Sequence, residues 1–359
     1  MNFKAIFSIL GLLLIFNGFA MFLGIPFSIF YDDDDILPLT ISFLITVTFG
    51  FILWKFFKSE DKELGPKEGF LIAFTGWIAI SLFGTLPYLL SGSINNFTDA
   101  FFETVSGFTT TGASILTDVE TLPHGVLFWR SMTHWIGGMG IIVLSLAILP
   151  LLGIAGMQLY RAEASGPTKD KLSPRITETA RLLWGVYILL TFSEVILLLL
   201  GGMSFFDALC HSFGTIATGG FSTKNMSIAH YNSIYIDFVI GFFMLLSAVN
   251  FSLHYTALKG DPLNYFRNSE FKFFMLYVSI AIFYVTLINY FFQSEYSLFE
   301  AFRFSFFNVI SMATCTGFAN ADFALWAPSA QFIILLVMFI GGCAGSTTGA
   351  IKSVRVMIL

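Results

Sequence analysis

Long apolar runs alternate along this chain with short polar interruptions, and the runs have the length of bilayer-crossing helices. About 20 consecutive apolar residues cross the hydrocarbon core of a membrane. By that measure the stretches near 3–30, 36–57, 70–90, 182–200 and 271–292 are predicted to cross, with inner helices over about 126–152, 234–258 and from 331 onward. Three segments between these helices break the pattern in the same way. They read DAFFETVSGFTTTGAS from Asp99, DALCHSFGTIATGGFS from Asp207 and EAFRFSFFNVISMATCTGFA from Glu300. Each opens with an acid, an alanine and a large apolar residue, continues as a short helix and ends at Thr-Gly: Thr111-Gly112, Thr218-Gly219 and Thr316-Gly317. The glycines recur at roughly one hundred residues, the mark of an internal repeat.

Each Thr-Gly segment is too polar to cross lipid as a helix, yet apolar runs flank it on both sides. Non-helical backbone at membrane depth is tolerated only inside protein or along a water-filled cavity. Three such segments point to a pore lined by backbone carbonyls, which replace the hydration shell of a bare cation. The candidate filter residues are Thr110, Thr111 and Gly112; Ala217, Thr218 and Gly219; and Cys315, Thr316 and Gly317. One Thr-Gly alone reads as an ordinary turn between helices, whereas three in register do not. The acids Asp99, Asp207 and Glu300 stand where a helix N-terminus favours negative charge, so they are read as caps rather than ion ligands.

A second distinctive stretch is GGCAGSTTGAIK, from Gly341 to Lys352. The apolar run before it, 331–340, is about 15 Å long as a helix, half a bilayer, so the third inner helix is predicted to break at mid-membrane. The segment holds glycines and a lysine but lacks the Gly-Lys-Ser/Thr ending of a phosphate-binding loop. Lys352 and Arg355 follow it, either as an electrostatic barrier at an inner vestibule or as anchors on the inner side.

The loops TTTGAS, IATGGF and TCTGFA, together with GGCAGSTTGAIK, resemble the bacterial Trk/Ktr/HKT superfamily of potassium uptake proteins and are most similar to its TrkH branch. The likeness runs over the whole chain in order. It implies an all-α polytopic membrane protein of potassium-channel-like helix/pore-loop/helix repeats, each donating part of a selectivity filter. The expected layout is an N-terminal two-helix hairpin (1–58), pore repeats at 69–155, 180–258 and 270–359, and a cytoplasmic loop at 156–179. The resemblance also implies that Gly341, Gly342, Gly345, Ser346, Thr347, Thr348 and Gly349 form an intramembrane gate under the filter. Potassium is then the transported ion, with no organic cofactor. The implied partners are a second copy of the chain in a homodimer and a TrkA-like cytosolic nucleotide-binding regulatory subunit. The basic loop from Arg161 through Lys169, Lys171 and Arg175 to Arg181 is a docking surface for it by position.

Composition sharpens this picture. Hydrophobic residues make up 56% of the 359 and charged residues 11%, against about a quarter charged in a soluble domain. With the N-terminus inside, all but three of the 18 basic residues fall on the cytoplasmic side, the exceptions being Arg130, Lys224 and Arg303. Such a bias orients membrane proteins and turns the three filters outward. Asp32, Asp33, Asp34 and Asp35 form a solvated turn or a weak cation-attracting patch. Lys4 ahead of a long apolar run imitates a signal peptide, but the run is longer than such a region and no cleavage site closes it. Cys210, Cys315 and Cys343 have no disulfide or zinc spacing, and His124, His134, His211, His230 and His254 no metal spacing. Glu194, the one acid inside an apolar helix, is a functional suspect by default but is read as paired. No Ser/His/Asp set, carboxylate pair or HExxH motif is present, so catalysis has no support, and no nucleic-acid partner is expected.

Sodium- or proton-coupled symport is the alternative within transport, and a non-conducting scaffold that binds only the regulator is the alternative outside it. The family's pore uses four repeats, and three are legible here. The expectation is that these 359 residues alone do not conduct selectively. Restored potassium uptake in a transport-deficient host would overturn that expectation.

Overall fold

A computed structural model describes residues 2–58, 66–140 and 176–359. Regular structure among them is helical apart from one isolated parallel bridge between Ile340 and Ile351. Five of the helical spans are long and apolar enough to cross a membrane, or six if one bent pair counts as a span. The chain divides between Trp184 and Gly185 into two compact units.

In the first unit, α1 (Phe3–Phe22) and α2 (Ile25–Tyr31) form one span and pair with α3 (Ile36–Phe56). The buried positions of α3 are Leu39, Ser42, Thr46 and Gly50, a narrow stripe at helical spacing. Ser42 and Thr46 donate their hydroxyls to the carbonyls of Pro38 (2.8 Å) and Ser42 (2.7 Å), so the stripe is small and internally satisfied. Small stripes let helix backbones approach closely in lipid. At the crossing, a Cβ on Gly50 would lie 2.7 Å from the Gly11 carbonyl oxygen. The opposite face of α3 leaves Leu44, Ile45 and Phe49 exposed, as a lipid-facing surface requires.

The first repeat follows as α4 (Pro66–Gly84), α5 (Leu86–Leu90), the pore helix α6 (Phe97–Phe108) and the inner helix α7 (His124–Gly138). Pro123 precedes α7 and offers it no side-chain cap. Two members of the acidic run serve instead: Asp33 accepts from the His124 N–H at 2.7 Å and Asp35 from the Val126 N–H at 2.9 Å. Asp35 is only 1% exposed. These two acids are therefore helix caps, which neither a solvated turn nor a cation-attracting patch describes. The inner helix expected over 126–152 is not continuous: α7 ends at Gly138, with Met139 as its C-cap and Gly140 left-handed at φ 69°, and residues 141–152, with Arg161, Lys169, Lys171 and Arg175, lie outside the described residues.

The second unit begins within α8 (Ile176–Leu200) and continues with the pore helix α9 (Phe205–Ile216), α10 (Ile234–Ala248), α11 (Phe251–Leu258) and α12 (Asn264–Arg267). The third set is α13 (Ser269–Phe292), the pore helix α14 (Leu298–Ala313), α15 (Pro328–Phe339) and α16 (Ser353–Ile358). The second inner helix is corrected likewise: the helix expected over 234–258 is not continuous, since α10 and α11 meet at 102°. Val249 and Asn250 are extended there, and the Asn250 side chain accepts from the Ser252 N–H at 2.8 Å to restart the helix. Helix α15 ends at Phe339, where the glycine-rich segment takes over.

Gly50→Val would push α1 and α3 apart at their crossing. Overpacking of this kind costs about 1–3 kcal/mol, so the variant should melt at a lower temperature in detergent, whereas Leu44→Val on the exposed face of α3 should not.

Candidate functional site

All three pore helices end in the same hydrogen-bonded turn. In the first, Thr110 N–H donates to the Gly107 carbonyl (3.0 Å) and Thr111 N–H to the Ser106 carbonyl (2.9 Å). The second repeats this with Thr218 on Thr215 (3.0 Å) and Gly219 on Gly214 (2.9 Å), the third with Cys315 on Met312 (3.1 Å) and Thr316 on Ser311 (2.8 Å). This is the Schellman arrangement, which needs a left-handed residue just past the helix. That residue is Thr110 (φ 53°), Thr218 (φ 53°) or Cys315 (φ 57°), and two positions later stands a left-handed glycine, Gly112 (φ 75°), Gly220 (φ 80°) or Gly317 (φ 86°). Two left-handed positions separated by one residue thus follow each of the three helices.

The backbone corrects the register of the second loop. The sequence pattern matches Gly219 with Gly112 and Gly317, but the left-handed glycine is Gly220, and Gly219 corresponds to Thr111 and Thr316. Ala217 is the helix-capping residue, equivalent to Thr109 and Thr314. The physical reason is that the first left-handed position carries threonine or cysteine, so glycine spacing does not mark it. The third pore helix is also one turn longer, 16 residues against 12. Glu300 consequently stands a turn farther out than Asp99 and Asp207.

Side chains hold these loops unequally. Ser106 donates to the Ala113 carbonyl and Ser311 to the Phe318 carbonyl, both at 2.6 Å. Hydroxyl pairs Thr109/Thr111 and Thr314/Thr316, each at 2.8 Å, brace the same two loops. The second loop has Gly214, Ala217 and Gly219 at these places and leans on the third loop instead. Gly220 lies so near the Thr316 carbonyl that a Cβ would collide with it, and Ala229 N–H donates to the Ala319 carbonyl at 3.1 Å.

One position in each pore helix, three residues before the one whose carbonyl receives the cap, is a fully buried polar residue: Glu103, His211 or Asn308. Sequence reading passed over Glu103 and Asn308; their common offset from the loop is a signal visible only once the register is known. Glu103 accepts from Arg130 Nε (2.7 Å), the Ser114 hydroxyl (2.9 Å) and the Ile115 N–H (3.1 Å). His211 Nδ1 donates to the Asp207 carbonyl (2.7 Å), which leaves Nε2 to accept from the Ser222 hydroxyl (2.9 Å). Asn308 donates to Asn320 (2.8 Å), which donates to Asp237 (2.8 Å), and Arg303 Nε donates to the same carboxylate at 2.6 Å. Each therefore fastens the limb that leaves the filter loop.

These contacts also account for the three basic residues expected on the outer side. Arg130 pairs with Glu103, Lys224 with Asp207 at 3.6 Å, and Arg303 with Asp237. Breaking a buried pair by removing one partner costs about 3–5 kcal/mol. Glu194, expected to be paired, is fully buried beside Thr215, and no basic partner stands against it among the described residues.

The 341–352 segment forms a compact loop seated in the break between α10 and α11. Cys343 N–H donates to the Ala248 carbonyl (2.8 Å), Phe251 N–H to the Gly345 carbonyl (3.1 Å), and the Thr347 hydroxyl to the carbonyls of Ile216 (3.0 Å) and Ser247 (3.2 Å). Thr348 accepts from Gly342 N–H at 3.1 Å, and Ser346 bonds Thr348 at 2.8 Å. A Cβ on Gly349 would sit 3.9 Å from Cys315 Sγ, so the loop lies against the third filter loop. Lys352 is buried and donates to the carbonyls of Ser346 (3.3 Å) and Thr348, whereas Arg355 is exposed. The two cations thus have different surroundings.

Capping is plain at two of the acids. Asp207 exchanges hydrogen bonds with Ser204, both at 3.0 Å. Ser297 and Glu300 form a full capping box, with Glu300 accepting from the Ser297 N–H at 2.9 Å and hydroxyl at 2.8 Å. In the first helix, Asp99 stands in the first turn and Asn96 is the cap.

Repeated outer helix, pore helix and loop sets, with a non-helical loop in the last, define a polytopic membrane protein of the pore-loop class. A TrkH family profile, described as cation transport protein, matches residues 38–359. The Trk system potassium uptake protein TrkH of Salmonella typhimurium (strain LT2) is 44% identical over 362 residues, covering 100% of this chain and 75% of the relative. The Trk system potassium uptake protein TrkG of Escherichia coli (strain K12) is 39% identical, covering 97% and 72%. The crystal structure of the potassium transporter TrkH from Vibrio parahaemolyticus superposes with a TM-score of 0.88 at 37% identity, over 100% of this chain and 74% of that one. This chain belongs to the TrkH family of cation transport proteins.

The capping box carries a pH signature. Hydrogen bonds from the Ser297 backbone and hydroxyl hold the Glu300 carboxyl below its ordinary value. A lowered folded value stabilises above the unfolded one and is lost as pH falls through the folded one. Melting temperature should therefore drop as pH falls through the carboxyl range, and Glu300→Gln should lie below the parent at neutral pH with the gap closing in acid.

Proposed function

We propose that this chain is a potassium uptake subunit of a bacterial inner membrane, the ion moving down its electrochemical gradient past the carbonyls of the filter loops, three of which this chain supplies. The carrying observation is one cap-and-glycine geometry recurring at three places in a chain whose relatives are named potassium uptake proteins. The filter segments are Thr110, Thr111 and Gly112; Thr218, Gly219 and Gly220; and Cys315, Thr316 and Gly317. The loop from Gly341 to Gly349 is the gate, supported by its seat against Cys315 and by its hold on the Ile216 carbonyl at the end of the second pore helix. Lys352 tethers that loop, and Arg355 serves as an inner-side anchor.

Basic residues concentrated on one side support a cytoplasmic N-terminus and outward-facing filters. The outer cations are each matched by an acid, so the ion entry carries no unpaired positive charge from them. Assembly as a homodimer with a TrkA-like cytosolic nucleotide-binding regulatory subunit rests on the family resemblance, and the basic loop 161–181 is its proposed docking surface.

Gly220→Ala tests both the filter and its register. A Cβ there meets the Thr316 carbonyl, and a left-handed non-glycine residue costs about 1–2 kcal/mol, so in a transport-competent assembly that contains this chain rubidium uptake or its preference over sodium should fall about tenfold or more. Gly219→Ala, at a position with ordinary φ, should be milder. Equal and small effects from both would sink the filter assignment.

A further inference from the structure

We infer that Glu270 is the latch that sets the resting position of the 341–352 loop; the inference rests on the gating role proposed above. Glu270 stands in the first turn of α13, and its Oε1 accepts from two backbone N–H groups, Ala344 at 2.7 Å and Val354 at 3.0 Å. The Ala344 amide lies in the loop and the Val354 amide in the first turn of α16 that follows it, so one carboxylate oxygen ties the loop to the helix at its exit. Hydrogen bonds to an ionised acceptor are about twice as strong as neutral ones.

The loop is gripped by opposite charges on opposite groups. Glu270 holds its N–H groups, and the Lys352 ammonium holds the Ser346 and Thr348 carbonyls. Two helical turns along α13, on the same face as Glu270, the Tyr277 hydroxyl donates to the Ile340 carbonyl at 2.9 Å. Helix α13 thus holds the loop at two levels, while Leu276, Ile280, Phe283 and Tyr284 on it are exposed. Its first turn follows the polar connector at 259–268, so a displacement of that connector would pull on both amides at once.

Cys315 is a native reporter, because Gly349 lies against its sulfur. In the full chain with Cys210 and Cys343 replaced by serine, the rate at which 2-aminoethyl methanethiosulfonate converts the Cys315 thiol to a mixed disulfide, releasing methanesulfinate, reads the loop position. Glu270→Gln and Glu270→Ala should raise that rate about tenfold or more, the loss of one charge-assisted tie to a locally opening segment. Glu270→Asp, too short to reach both amides but still charged, should lie between them and the parent. Hydrogen exchange at the Ala344 and Val354 amides should accelerate in parallel, with exchange in α9 and α14 unchanged. A variant lacking 345–349 separates the two ideas. If it exposes Cys315 and the Glu270 variants do not, the latch is wrong and the gate stands. If it leaves Cys315 protected, the gating role falls and the latch falls with it. Unchanged amide exchange in Glu270→Gln overturns the latch whatever the cysteine does.

Discussion

Away from water, every backbone N–H and C=O must find a partner within the protein, and that constraint organises this molecule. Helices satisfy it by themselves, but a chain that must present bare carbonyls to an ion has to leave the helix and still account for every other group. Here the solution is local. Each pore helix ends in a cap whose next two N–H groups return to carbonyls of its last turn. The cap forces a left-handed residue, and two positions later a glycine takes the same handedness.

The same constraint explains the seat of the 341–352 loop. A helix broken at 102° releases carbonyls that have no partner in the next turn. Those of Ser247 and Ala248 are taken up by Thr347 and Cys343, and the loop's own groups are taken up by Asn250's neighbour Phe251, by Thr348 and by Lys352. Break and loop are therefore one unit: neither satisfies its backbone without the other. A segment held by many modest bonds, rather than by a packed apolar core, is drawn from the low-stability end of a structure, which suits a moving part.

Charge is handled by the same rule. Arg130, Lys224 and Arg303 each face an acid of their own neighbourhood, and in the first and third cases the pair is buried. Pairing carries Glu103 into the limb beyond the first filter loop and Asp237 into the limb beyond the third. His211 does the corresponding work in the second with no formal charge. Three chemically different residues thus fill one structural role, which is why the role has no fixed letter in the sequence.

The long apolar helices over 3–30, 36–57, 70–90, 182–200 and 271–292, the three-fold recurrence and the early end of α15 were legible from letters alone, because span length and the polarity of the interruptions are set by the bilayer. Helix-capping by Asp207 and Glu300 was legible for the same local reason. Tertiary structure decided the rest. It moved the second loop's glycine from Gly219 to Gly220, since handedness follows the cap and the cap here uses threonine and cysteine. It bent the helix at Val249 and Asn250, which carry no proline or glycine, because a loop nearly a hundred residues away supplies the missing partners. It turned Asp33 and Asp35 into caps for a helix that begins at His124. Each of these depends on a hydrogen-bond partner distant in the chain, and no local pattern encodes a partner's position.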